Sequence, residues 1–159
     1  MKILGKRNTY EEPSQAVLDL CQAHLQGAPR ALFLTVSEAA LPEDAQKALR
    51  SSAAAFDYAE GQVGFLTLEA QGARLDAPML LQLVEAVDPL CLVAADSTSA
   101  SLISHAYHAE VATDAANRVL GRTCVAFRNF AGLMETPESK QRAWALLKKL
   151  PRYATPPTG

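Results

Sequence analysis

The chain has 159 residues, of which 49% are hydrophobic and 20% charged, and its formal net charge is −2. At roughly 100–200 residues per domain this is the length of one compact domain. That composition, with a mean hydropathy of +0.01, excludes the disordered and fibrous classes, and near-neutral charge argues against a protein that coats nucleic acid.

The N-terminal stretch MKILGKR has only Ile3-Leu4 as an apolar run. A signal peptide needs an apolar core of about 7–15 residues, so the cytoplasm is the expected compartment. No 18-residue apolar window occurs, which predicts no membrane association.

Pro13-Ser14 opens a helical pattern in which Val17, Leu18, Cys21 and Leu25 fall on one face, with Gly27 as its C-cap. Residues 31–36 (ALFLTV) read as a buried strand. Leu41-Pro42-Glu43-Asp44 starts an Ala-rich helix running to about Tyr58, with Pro and acids suited to its first turn. A second strand covers 63–68, and QGARLDAP follows as a loop. Asp76 caps the next helix, whose inner face is read as Met79, Leu80, Leu83, Val84 and Val87, ending at Asp88-Pro89. Residues 90–95 (LCLVAA) form the clearest strand, and Asp96-Ser97-Thr98-Ser99 offers N-caps for a helix from about Ala100 to His108. Residues 119–127 are strand-like, with a turn or bulge at Gly121-Arg122. The last helix opens at Pro137-Glu138 and carries Ala143, Trp144, Leu147 and Leu150 as its apolar stripe.

Strands alternating with helices predict an α/β fold: a three-layer α/β/α sandwich with a mostly parallel sheet of four or five strands. Residues 1–152 are expected to form a single domain and 153–159 a flexible tail. Cys21, Cys91 and Cys124 are odd in number, lack CxxC spacing and sit in apolar stretches, so they read as buried free thiols.

Ligands of open α/β sheets bind at the carboxyl ends of the strands. That rule selects Ser37, Glu38, Glu69, Asp96–Ser99, Arg128 and Asn129. The small hydroxyl run after Asp96 suits an anion at a helix N-terminus, but it lacks the glycines of a phosphate loop, and Asp96 would repel a phosphate. GxGxxG, GxxxxGK[ST], GxSxG and HExxH are all absent. His105 and His108 stand three apart with Glu110 behind them, yet no third ligand is evident and no metal or cofactor is expected. The acid pairs Glu11-Glu12, Glu43-Asp44 and Glu135 with Glu138 lie at helix starts, where they stabilise the dipole. No complete catalytic set emerges; the alternative enzyme reading rests on Glu38, Asp96, Ser97 and Arg128.

The net charge conceals a split. Residues 1–110 carry −7 and residues 111–159 carry +5. A segregated basic segment points to an acidic partner. Its candidate binding residues are Arg122, Arg128, Arg142, Trp144, Lys148 and Lys149; of the nearby aromatics Phe127, Phe130, Trp144 and Tyr153, all able to stack on bases, Phe127 and Trp144 read as core.

From Leu90 to Leu150 the order is a buried strand (LCLVAAD), a small-residue helix start (STSASLI), a strand (RTCVAF), an aromatic-containing loop (RNFAGLM) and a helix with Lys140, Ala143, Trp144 and Leu147. This order resembles the uracil-DNA-glycosylase-like fold, a family that includes the non-catalytic psi subunit of bacterial DNA polymerase III. The glycosylases of that family carry a water-activating motif after the first strand and a His-Pro-Ser type motif after the last. Here those positions read VSEAALPED, with Glu38, and FRNFAGLM, with no histidine. The resemblance therefore implies a non-catalytic adaptor of a replication- or repair-associated complex, bound to a protein partner or a nucleic-acid-associated assembly. The alternative is a small enzyme for an anionic or nucleoside-like substrate, and self-association stays open.

Overall fold

The computed structural model describes Val17 and residues 22–27 and 30–153. Leu18 and Cys21 of the expected opening helix lie outside the described residues, as do residues 154–159 of the expected tail. The strands are β1 Leu25–Gly27, β2 Phe33–Ser37, β3 Val63–Thr67, β4 Glu69–Ala70, β5 Ala73–Arg74, β6 Cys91–Ala94, β7 Ala115–Val119 and β8 Arg122–Ala126. The α-helices whose bounds fall among the described residues are α1 Glu43–Ala55, α2 Ala77–Val87, α3 Ser97–Tyr107 and α4 Pro137–Leu147. No helix among the described residues is long and apolar enough to cross a membrane.

Six strands form one sheet in the order β1-β3-β2-β6-β8-β7. The central four are parallel, and β1 and β7 close the edges antiparallel. The sheet is therefore wider than the four or five strands expected, and the additional width is at its edges. Leu25 is not helical: it pairs with Leu66 in an antiparallel strand of only three residues. Gly27 sits at φ +99°, and a Cβ there would stand 2.8 Å from the Val63 carbonyl oxygen, so this close approach demands glycine.

The central strands are apolar throughout because both faces are covered. Leu34, Val36, Leu66, Leu92 and Cys124 point to one face, where α2 (Leu80, Leu83, Val84) and α3 (Ala100, Ile103) lie. Phe33, Phe65, Cys91, Val93 and Val125 point to the other, under α1 (Ala45, Leu49, Ala53) and α4 (Ala143, Leu147). The result is the expected three-layer α/β/α arrangement.

Several boundaries differ from expectation for local reasons. Helix α1 stops at Ala55 because Asp57 turns left-handed at φ 73°, returning Phe56 and Tyr58 to the core. Helix α3 starts at Ser97, three residues early, because the Asp96 carboxylate accepts the Ser99 N–H at 2.8 Å. The stretch read as a loop after β3 contains the β4–β5 hairpin, turned by Gln71 (φ 53°) and Gly72 (φ 78°). The strand-like region 119–127 is the return of a β7–β8 hairpin, turned by Leu120 (φ 49°) and Gly121 (φ 85°). Met79 is 39% exposed and does not join the inner face of α2.

Candidate functional site

The chain passes from β2 to β3 on one side and back across β2 to β6 on the other. The crevice between the carboxyl ends of β2 and β6 is thus the place where open α/β sheets bind ligands. Asp96 fills it. One carboxylate oxygen accepts the Glu38 N–H at 2.8 Å, and the other accepts the Ser99 N–H. These backbone donors, one of them at a helix N-terminus, are the kind that would hold a bound anion. Ser97 N–H donates to the Arg128 carbonyl at 3.1 Å, and Asp96 bridges to Asn129 through the backbone.

The four residues of the enzyme reading are therefore neighbours, but their side chains diverge. The Glu38 carboxylate lies 3.6 Å from Arg74, which also pairs with Glu69. The Arg128 guanidinium is 77% exposed and 3.9 Å from Asp114. Ser97 borders a cavity of about 410 Å³ with Arg74, Thr98, Ser101, Leu102 and His105, and Glu38, Asp96 and Arg128 do not line it. His108 caps the end of α3 in a left-handed conformation. Burial pushes the Cys91 thiol up to about 11 and the Cys124 thiol up to about 12, so neither supplies a thiolate nucleophile at neutral pH.

The basic set separates into three places. Arg122 opens β8 and Arg128 follows its end, so they sit at opposite ends of the sheet, about 20 Å apart at strand rise. The Arg122 side chain is 11% exposed and turned inward: it donates to Pro89 O at 2.7 Å, to Glu85 at 2.7 Å and to Asp88 at 2.9 Å. Tyr107 donates to the same Glu85 carboxylate. Burial alone would raise the Glu85 carboxyl, but the Arg122 and Tyr107 hydrogen bonds outweigh it and hold the group below its ordinary value. Arg122 thus ties α2, α3 and β8 together, and its charge is matched within the protein, unlike that expected of a member of the binding set. Phe127 and Phe130 are fully buried and meet edge-on at 5.0 Å, so they are core and not base-stacking platforms.

The third place is α4. Thr136 caps it in a reciprocal box with Ser139, and Pro137 starts it. Ala143 and Leu147 anchor it to the sheet, leaving Lys140, Arg142, Trp144, Lys148 and Lys149 exposed. Among the described residues, none of these four cations, nor Lys47 on α1, forms an ion pair, whereas Arg74, Arg122, Arg128 and Arg152 all do. Trp144 was expected in the core stripe, but it is 36% exposed and lies flat on Phe56, with ring centroids 5.2 Å apart and planes 5° apart.

Between α1 and α4 runs a groove of about 550 Å³. Its floor is apolar, including Ala48, Phe130, Met134, Ala143 and Leu147, and its rim carries Lys47, Lys140 and Trp144 with Asp44. The α1 wall is a row of small residues, Ala48, Ser51, Ser52 and Ala55, at i, i+3, i+4 and i+7, which is why the two helices leave a trough. The Ala-rich run of α1 was the sequence signal for this wall, but nothing in it said that α4 would lie opposite.

The chain after α4 holds the pair in place. Tyr58 Oη donates to Pro151 O at 2.8 Å, Tyr153 N–H to Phe56 O at 2.8 Å, and Arg152 to Asp57 at 3.0 Å and Ala55 O at 3.1 Å. Tyr153, assigned to the flexible tail from sequence, is therefore strapped across the end of α1. Comparison of the sequence with protein-family models and with curated proteins found no match.

Proposed function

We propose that this chain is a non-catalytic binding module whose partner, a protein or a nucleic-acid-associated complex, docks on α4. The observation that carries this reading is the set of unmatched cations on α4 and the turn after it, Lys140, Arg142, Lys148 and Lys149, beside an exposed Trp144 and an apolar groove. Surface charges that lack an internal partner are the ones able to attract an acidic surface. Arg122 drops out of the binding set because its donors are committed inside the protein. The resemblance of residues 90–150 to a fold family with a non-catalytic member agrees with this reading. An enzyme acting at the strand ends is less well supported, because Asp96 occupies that crevice with both carboxylate oxygens engaged.

Elution from an immobilised polyanion such as heparin tests the charge argument. The wild type, despite its net charge of −2, should be retained at low salt and released as salt rises. The variant Arg142→Glu/Lys148→Glu/Lys149→Glu should lose retention, while Arg128→Glu, which lies off α4 at the strand ends, should lose less of it. Identical elution of the triple variant and the wild type would overturn the proposal.

A further inference from the structure

We infer that the α1/α4 groove receives an amphipathic α-helix of a partner protein, apolar on the face that enters the groove and acidic on its flanks. This rests on the binding-module reading and narrows it to one partner chemistry and one place.

The shape of the groove supports a helix. Both walls are helical, each with a row at i, i+3, i+4 and i+7: Ala48, Ser51, Ser52 and Ala55 on α1, and Lys140, Ala143, Trp144 and Leu147 on α4. A trough between two such rows accepts the side-chain ridge of a third helix. Helix α4 has 11 residues, a length of about 16 Å, which matches about three turns of a docked helix. The volume of about 550 Å³ lies within the range of roughly 300–1,000 Å³ typical of ligand-holding clefts.

The charges select acidic flanks. Lys140 and Trp144 stand at i and i+4 on the α4 side of the groove, Lys47 lines it from α1, and Lys148 follows Trp144 just beyond the groove lining. None of the three lysines has an acidic partner among the described residues. Carboxylates on a docked helix would supply those partners, and its apolar face would cover Met134, Leu147 and the exposed part of Trp144. A nucleic acid fits less well. Its phosphates gain nothing from an apolar floor.

Trp144 is the only tryptophan of the chain, so its emission reports the groove directly. The probe is a synthetic peptide of about 14 residues with leucine at i, i+3, i+4 and i+7 and glutamate on the remaining faces. Its addition should shift Trp144 emission to shorter wavelength and saturate. A peptide of the same composition with the leucine spacing scrambled should bind at least about tenfold more weakly. Ser51→Phe, an exposed position on the groove wall, should obstruct the floor and weaken binding about tenfold, with unfolding followed separately by circular dichroism. Lys47→Glu/Lys140→Glu should weaken it to a similar degree and reduce its salt dependence. Absence of saturable binding, equal binding of the scrambled peptide, or an unchanged affinity in Ser51→Phe would each overturn the groove inference. A duplex of about 20 base pairs that displaces the peptide and shifts Trp144 at lower concentration would overturn it in favour of nucleic acid. Retention of the wild type on the polyanion together with failure of the peptide would leave the binding surface standing and remove the helix. Loss of both would remove the surface as well.

Discussion

At the amino end of the sheet, Arg122 has Nε, Nη1 and Nη2 each directed at an internal acceptor, and its side chain is 11% exposed. On α4 and the turn after it, in the same basic third of the chain, Lys140, Arg142, Lys148 and Lys149 are exposed with no acidic partner among the described residues. The two regions share a sign of charge and nothing else. A cation whose own side chain is buried against its acceptors is part of the fold, because removing it leaves a backbone carbonyl without its donor and two carboxylates without their counter-charge. A cation in water with no partner contributes little to stability and keeps its field available to another molecule. Formal charge alone cannot tell these cases apart.

Removing Arg122 should have the largest effect and fall only on the fold. Arg122→Met breaks three hydrogen bonds, including the one to the Pro89 carbonyl, and removes the counter-charge of Glu85 and Asp88, so it should destabilise the protein by about 1–2 kcal/mol, read from urea midpoints. Polyanion retention should stay as in the wild type. The same network fixes a pH dependence. Glu85 has a depressed value in the folded protein, so its contribution is fully present above the ordinary carboxylate range and is lost as pH falls through the folded value. Arg122→Met should therefore show a shallower loss of stability on acidification than the wild type.

Leu120, in the hairpin beside Arg122, offers an intermediate effect of opposite sign. It is 69% exposed and held at φ 49°, a conformation that disfavours leucine and suits asparagine. Leu120→Asn should stabilise the protein by about 0.5–1 kcal/mol, seen as a raised melting temperature, again with no change in retention. The smallest change in stability should come from Arg142→Glu/Lys148→Glu/Lys149→Glu, within about 0.5 kcal/mol per site, although its effect on retention should be the largest of all. A variant set in which stability and retention moved together would erase the distinction between the two regions.

The parts of the fold legible in the sequence were those whose pattern is local. Strands β2, β3 and β6 are continuous apolar runs because they are buried on both faces, and Asp76, Asp96 and Pro137 mark helix starts chemically. The β7–β8 hairpin was obscured because leucine occupies a turn position where asparagine would have announced it. Strand β1 was absorbed into a helical spacing because three residues are too few to show alternation. The charge split was visible, but Arg122 meets Glu85 and Asp88 across separations of 37 and 34 residues, so its internal role was not. The groove needed α1 and α4 to lie side by side, a pairing made by burial on the sheet and by the Pro151–Tyr153 strap, which no local pattern encodes.

Amide hydrogen exchange, with and without the acidic amphipathic peptide, locates binding on the molecule without assuming which side chains matter. The account predicts new protection in residues 43–55 and 137–150, with the strand ends at 37–41, 96–101 and 128–130 unchanged. Protection confined to the strand ends, with α1 and α4 unaltered, would contradict it and return attention to the crevice that Asp96 fills.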